Sequence, residues 1–264
     1  MSVLGRRLCV TLVVVAAGLP LGAGIAVAAP SHWVPPNRLT WYWQLQGRAP
    51  LEPVQLTDID AFETRAAFVG RLHAAGRHVM CYVDVGTWER FRPDAERFPN
   101  AVLGRPDGWP GERWLDIRRL SVLKPIMTGR LEMCARKGFD AVEPDNIDGF
   151  ENDTSFRITA TQQLRYDRWV AREVHLLRMA VFEKNDPEQA AELQPHFDGV
   201  LDEQCNQYDE CAAFEPYLRA GKPVLDAEYE RALYPRFCIA DRRLGITGAL
   251  FDLALDGRRY TPCW

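Results

Sequence analysis

Short β-prone runs alternate with stretches of helical periodicity along most of this chain. Residues 40–45 are the first such run. Asp60 then opens a helical pattern, with the Asp-x-x-Glu spacing of a capping box to Glu63 and Gly76 as its stop. His78–Asp84 is a second strand. A short third follows at 113–117, beyond a stretch rich in Trp and Pro. Helix periodicity over 118–137 leads to Gly138 and a fourth strand at 139–145. Next come a helix at 157–175 and a strand at 178–185. Asp186-Pro187-Glu188-Gln189 starts a further helix, with Pro in its first turn and Asp186 as its cap. Strands at 197–203, 222–228 and 246–252 complete the set, with helical patterns at 213–220 and 230–242 between them.

Strands that alternate with helices predict a parallel sheet. Eight is the number that closes a (β/α)8 TIM barrel, and such barrels take about 250 residues. The 264 residues hold one α/β barrel and leave no room for a second domain. An open doubly wound sheet is the other arrangement with this alternation. It would carry a Gly-rich phosphate turn after its first strand. Gln46-Gly47-Arg48-Ala49-Pro50 stands there instead.

The N-terminus has its own composition. Arg6 and Arg7 precede an apolar run from Leu8 to Leu19, and small residues follow to Ala26-Val27-Ala28-Ala29. This is the layout of a secretory signal peptide over residues 1–29, with the barrel over 30–264. A retained anchor is the alternative, but the run is shorter than the ~20 residues a spanning helix needs. The expectation is a secreted or extracytoplasmic protein with no stable membrane insertion after cleavage.

Losing Cys9 with that segment leaves Cys81, Cys134, Cys205, Cys211, Cys238 and Cys263. An even set in an exported chain suggests disulfides, although six cysteines can pair in 15 ways. The spacing suits a local bridge from Cys205 to Cys211, and Cys238 with Cys263 would tie down the tail. Cys81 and Cys134 remain. No CxxC pair or close Cys/His set points to a metal.

Composition excludes a disordered or fibrous chain, since 47% of residues are hydrophobic and 26% charged. Loss of Arg6 and Arg7 takes the net charge from −4 to −6. No basic patch emerges, so nucleic acid is not an expected partner. No G-x-S-x-G elbow, H-E-x-x-H or P-loop occurs, and no cofactor is expected.

Acids end nearly every strand: Asp84, Asp116, Asp145, Asp202 and Glu203, Asp226 and Glu228, and Asp252. In a barrel these positions meet at the catalytic rim. Alternation sorts them. With Val142 turned to the helices, Glu143 and Asp145 face the barrel axis. Glu203 shares its face with Leu201, while Asp202 shares the other with Val200 and is structural. The same parity turns Cys81 outward. Acids crowded at one rim repel, which raises some pKa values as acid–base chemistry needs. Two facing carboxylates hydrolyse glycosidic bonds, and rim aromatics such as Trp41, Tyr42, Trp43, Trp88, Trp109, Trp114 and Tyr208 suit sugar faces. A monomer acting on polysaccharide is the expectation.

At these residues the chain resembles glycoside hydrolase family 114, the endo-α-1,4-polygalactosaminidase-like barrels. The matching motifs are Cys81-Tyr82-Val83-Asp84-Val85-Gly86-Thr87-Trp88-Glu89, Trp109-Pro110-Gly111-Glu112-Arg113-Trp114-Leu115-Asp116-Ile117, Glu143-Pro144-Asp145-Asn146-Ile147-Asp148-Gly149, Lys184-Asn185, Asp202-Glu203-Gln204-Cys205 and Glu228-Tyr229. The resemblance implies retaining, metal-free hydrolysis of α-1,4-linked galactosamine polymers. It implies Asp145 as nucleophile and Glu203 as general acid/base. Tyr42, Asp84, Trp88, Asn146, Lys184, Tyr208, Glu228 and Asp252 are the candidate substrate contacts. Glu143 stands where many relatives carry Asp, and Glu183 where an apolar residue is more usual. A chitinase-like mechanism would need an acid at Ile147. A non-catalytic carbohydrate-binding barrel would be expected to lack one of the two acids.

Overall fold

The computed structural model describes residues 32–264. The signal-peptide expectation falls on residues outside these. Eight parallel strands form the barrel sheet: β1 (Trp41–Gln44), β2 (Leu56–Asp60), β3 (His78–Asp84), β6 (Ala141–Asp145), β7 (Ala180–Lys184), β8 (Gly199–Glu203), β9 (Val224–Glu228) and β10 (Thr247–Phe251). A hairpin of β4 (Thr87–Glu89) and β5 (Glu112–Trp114) stands apart, and β11 (Tyr260–Pro262) adds antiparallel to β10. The barrel's two edges meet through side chains. The Trp41 indole N–H donates to the Thr247 carbonyl at 2.9 Å, and its ring lies 5.1 Å from that of Phe251.

One strand differs from the sequence reading. Residues 56–60 form β2, and the helix expected from Asp60 begins only at α1 (Ala66–Ala74). Asp60 still accepts from the Phe62 and Glu63 backbone N–H groups, each at 2.8 Å, in a turn closing the strand. Conversely, the expected strand at 113–117 lies outside the barrel and pairs with β4, with Glu89 opposite Glu112. One strand overlooked and one misplaced leave the count at eight.

The other helices are α2 (Leu120–Lys137), α3 (Ala160–Leu176), α4 (Ala190–Leu193), α5 (Cys205–Tyr208), α6 (Glu215–Arg219) and α7 (Arg236–Leu244). Each long one stops or starts on a recognisable signal. Gly138 ends α2 at φ 87°, a left-handed turn that costs glycine nothing. Thr159 and Gln162 form a capping box at the start of α3. No helix among the described residues is long and apolar enough to cross a membrane.

Close packing fixes the barrel's centre. A Cβ at Gly199 would lie 2.6 Å from the Phe182 ring, so the missing side chain on β8 makes room for the Phe on β7. Phe182 is fully buried, and truncation to Ala would cost about 3–5 kcal/mol. Disulfides join Cys81 to Cys134, Cys205 to Cys211 and Cys238 to Cys263. The first links β3 to α2, as an outward Cys81 requires. Between sheet and helices lie buried acids. Glu183, Asp202 and Asp226 face outward, and burial holds all three well above the usual carboxylate range.

Candidate active site

Strand parity builds this site. Lys184 ends β7 on its inner face, between Asp145 on β6 and Glu203 on β8. After each of these three residues the chain turns sharply off the sheet, through Asn146 (φ 61°), Asn185 (φ 53°) and Gln204 (φ 71°). Asn tolerates this left-handed conformation better than most residues. The Asn185 side-chain oxygen accepts from the Glu203 backbone N–H at 2.9 Å, which ties the end of β8 to β7. Gly86 passes so close to the Asn146 carbonyl that a Cβ there would sit 1.6 Å from it.

The Lys184 ammonium donates to Asp145 Oδ1 at 2.8 Å and to Glu203 Oε2 at 2.6 Å, so 5.4 Å, the sum of the two, is the farthest those oxygens can stand apart. Tyr82 donates its hydroxyl to the other Asp145 oxygen at 2.8 Å, and Tyr229 donates to the other oxygen of Glu203. Each carboxylate is thereby held by one shared cation and one phenol. Burial works against the Lys184 charge, but Asp145, Glu203 and Glu143 outweigh it and hold the ammonium well above its ordinary pKa. Burial, and then the neighbouring carboxylate, push both phenols up, so both remain donors.

Lys184 is 2% exposed and lies 5.4 Å from the Trp43 ring centre. Above them opens a cavity of about 420 Å³. Asp145, Asn146, Lys184, Glu203, Tyr82 and Trp43 line one side of it, with Phe91, Trp109 and Glu112 from the β4–β5 excursion among its other walls. Acids dominate its charge: Asp60, Glu63, Glu89 and Glu112 join the central pair against Lys184 and Arg92. Burial, then the charges of Asp84, Asp107 and Glu89, push Glu112 up to about 9. A neighbouring groove toward α1 shares Leu45, Gly47, Asp60 and Glu63 with this cavity, so the depression continues past the central pair.

Two carboxylates this close, at the C-terminal rim of a barrel and beside an open cavity, can cleave a glycosidic bond. A model of glycoside hydrolase family GH114 matches residues 22–263. The chain belongs to glycoside hydrolase family 114. It is a glycoside hydrolase. The crystal structure of Ega3 from Aspergillus fumigatus in complex with galactosamine matches with a TM-score of 0.81 and 28% identity, covering 85% of this chain and 95% of that one. The glycoside hydrolase domain of PelA from Pseudomonas aeruginosa shares the fold, with a TM-score of 0.66 at 16% identity over 83% of this chain and 96% of that domain. No curated protein matches the chain.

Within this family 114 barrel, the expected contacts separate into two groups. Asp145, Glu203, Lys184 and Asn146 meet at the cavity. Asp84 is fully buried beneath it. It accepts from the Gly86 and Thr87 N–H groups and from the Asn146 amide at 3.0 Å, so it orders the rim from below. Tyr42 faces out of the barrel, donates to Gln44 and packs edge-on to Tyr260, because Trp41 and Trp43 take the inner face of β1. Trp88 donates its indole N–H to the Ala95 carbonyl inside the excursion. Glu228 is buried behind β9 and accepts from the Asn206 and Gln207 N–H groups at the start of α5. Asp252 accepts from the Arg259 N–H, beside the Leu253–Leu255 wall of the cavity. Tyr208, 60% exposed, stands at the end of α5 outside the cavity lining.

The sequence reading missed Tyr82, Tyr229, Phe91 and Glu112 as site residues. Parity on β3 carried the signal for Tyr82, two residues before Asp84. Tyr229 follows Glu228, and the same alternation turns it inward. Phe91 and Glu112 sit in the excursion, which no strand rule reaches. Among the described residues, the side-chain sets close enough to hold a metal lie outside the cavity. His32, His175 and Asp198 form one, and the others depend on Cys205, whose sulfur is in a disulfide.

Proposed function

We propose that this protein is an exported, monomeric endo-glycosidase that hydrolyses α-1,4-linked galactosamine-containing polysaccharide with retention. The observation that carries this reading is the shared Lys184 bridge, which limits the nearest Asp145 and Glu203 oxygens to 5.4 Å, the sum of its two contacts at 2.8 and 2.6 Å. Retaining pairs stand about 5–5.5 Å apart and inverting pairs about 6.5–9.5 Å. Three disulfides suit an oxidising compartment.

In the first step Glu203 gives its proton to the glycosidic oxygen while Asp145 attacks the anomeric carbon. The C–O bond to the leaving chain breaks as the ester to Asp145 forms. In the second step Glu203 takes a proton from water, whose oxygen attacks the same carbon and releases Asp145 as carboxylate. Tyr82 and Lys184 orient Asp145, and Tyr229 and Lys184 orient Glu203.

Substrate class rests on two supports. The 28%-identical relative binds galactosamine in its crystal structure. The acid-lined cavity here suits a sugar that carries an ammonium group, and the half-exposed Trp109 ring suits its C–H face. Continuation of the cleft toward α1 supports cleavage within a chain. The test is incubation of the protein, its Asp145→Asn variant and its Glu203→Gln variant with α-1,4-galactosamine oligomers, free and N-acetylated, with product masses read out. Internal cleavage by the wild type and a loss of about 10³-fold or more in either variant are expected. Near-full activity in either variant overturns the assignment.

A further inference from the structure

Asp58 on β2 and Glu143 on β6 are both fully buried on the barrel axis, below the cavity and outside its lining. Their carboxyls lie against each other, close enough for one proton to be shared between them. No donor meets full hydrogen-bond geometry at any of their four oxygens, and the Ile59 backbone N–H is the one that approaches Asp58. Glu143 Oε1 lies 3.8 Å from the Lys184 ammonium. The other titratable groups facing the pair are Asp145 on the same strand, Tyr82 on β3 and Tyr229 after β9. One ammonium at 3.8 Å, shared with two other carboxylates, and one backbone N–H are too little to offset the repulsion and lost hydration of two buried charges.

We propose that Asp58 and Glu143 share a single proton at neutral pH and act as one positioning unit, whose one negative charge fixes the Lys184 ammonium between Asp145 and Glu203. This inference rests on the functional reading above. The pair touches no substrate. It works through Lys184, and Lys184 works through the two catalytic carboxylates. The depth of the pair agrees with the direction of both pKa values: burial raises Glu143 well above its usual range and Asp58 to about 7.

The unit has a property that a simple structural pair lacks. Asp58→Asn or Glu143→Gln leaves one carboxylate and supplies an amide N–H to bond it, so the charge of the unit survives. Asp58→Asn with Glu143→Gln removes that charge at nearly constant shape.

The experiment has two arms. The first measures kcat, KM and the pH profile of the two single variants and the double. Each single variant is expected to lose a few-fold in kcat with its profile in place. The double is expected to lose kcat by at least tenfold more than the product of the singles, with KM unchanged. Its alkaline limb is expected about one pH unit lower, since the charge near the general acid is gone. A double variant with a wild-type profile overturns the proposal, and so do singles that each shift the profile as the double does. The second arm needs no activity. The infrared band of protonated carboxyls is measured at neutral pH for wild type and Asp58→Asn. Loss of one carboxyl's intensity is expected, and an unchanged band overturns the proposal even if the double variant fails to fold. If the wild type hydrolyses no galactosamine oligomer, the functional reading fails while this second arm still decides the shared proton.

Discussion

Lys184 and Glu203 form a 2.6 Å ion pair at the floor of the cavity. The ammonium is almost completely buried, so its charge is compensated by carboxylates and not by water. Lys184→Met removes the cation that holds both Asp145 and Glu203 in position. A fall in kcat of about 10²-fold or more is expected, with a smaller change in KM, read from initial rates on galactosamine oligomers. A variant with wild-type kcat would remove Lys184 from the machinery.

The two phenols should act on opposite limbs of the pH profile. Tyr82→Phe takes a donor from Asp145, which as the proposed nucleophile must be ionised to attack, so the acid limb of kcat/KM is expected to move to higher pH. Tyr229→Phe takes a donor from Glu203, which as the proposed general acid must carry its proton, so the alkaline limb is expected to move to higher pH. Each change is expected to cost about tenfold in kcat/KM, the worth of one charge-assisted hydrogen bond. Profiles of the two variants that move the same limb would contradict the assigned roles.

Stability should fall as the medium turns alkaline. Burial pushes Asp241 up to about 6, Glu228 to about 7, Asp84 to about 8 and Asp186 to about 10. Unfolded carboxyls titrate near 4. With folded values raised, the folded state binds more protons than the unfolded one above about pH 4. The stability these groups contribute is full below that pH and is lost as pH rises through the folded values. Asp198 and His196, both lowered, work in the other direction but are fewer. Thermal melts at pH 5 and pH 9 should show the lower Tm at pH 9.

The Cys81–Cys134 bridge closes a loop across 53 positions. Replacing both cysteines by Ala is expected to cost about 4 kcal/mol on the chain-entropy estimate, or roughly 10 °C in Tm. Both residues lie on the helix side of β3, so kcat should stay within about twofold of wild type. Calorimetry with parallel rate measurements checks both outcomes.

How much of this was legible in the sequence depends on which face each residue takes. Alternation around Val142 and Val200 was enough to bring Asp145 and Glu203 to one mouth, and the same rule turned Cys81 toward α2. It failed at β2. There Leu56, Asp58 and Asp60 take the inner face, so two acids replace the apolar stripe that marks a strand, and Asp60 also binds the N–H groups that a helix cap would bind. It failed again at Arg113, where a β-prone run pairs with β4 across a hairpin and leaves the barrel. Rim position also says less than it suggests. Glu228 and Tyr42 end or occupy rim strands yet face outward, and their roles are capping and packing. The Asp58–Glu143 pair was beyond reach, because no pattern in sequence joins β2 to β6 across β3.

The most direct test of the account is the anomeric configuration of the first product. Proton NMR during the opening minutes of hydrolysis of an α-1,4-galactosamine oligomer reports it before mutarotation mixes the signals. An attack by Asp145 followed by water gives the α anomer first. Appearance of the β anomer first would mean one displacement instead of two, and would contradict a nucleophilic Asp145 acting within reach of Glu203.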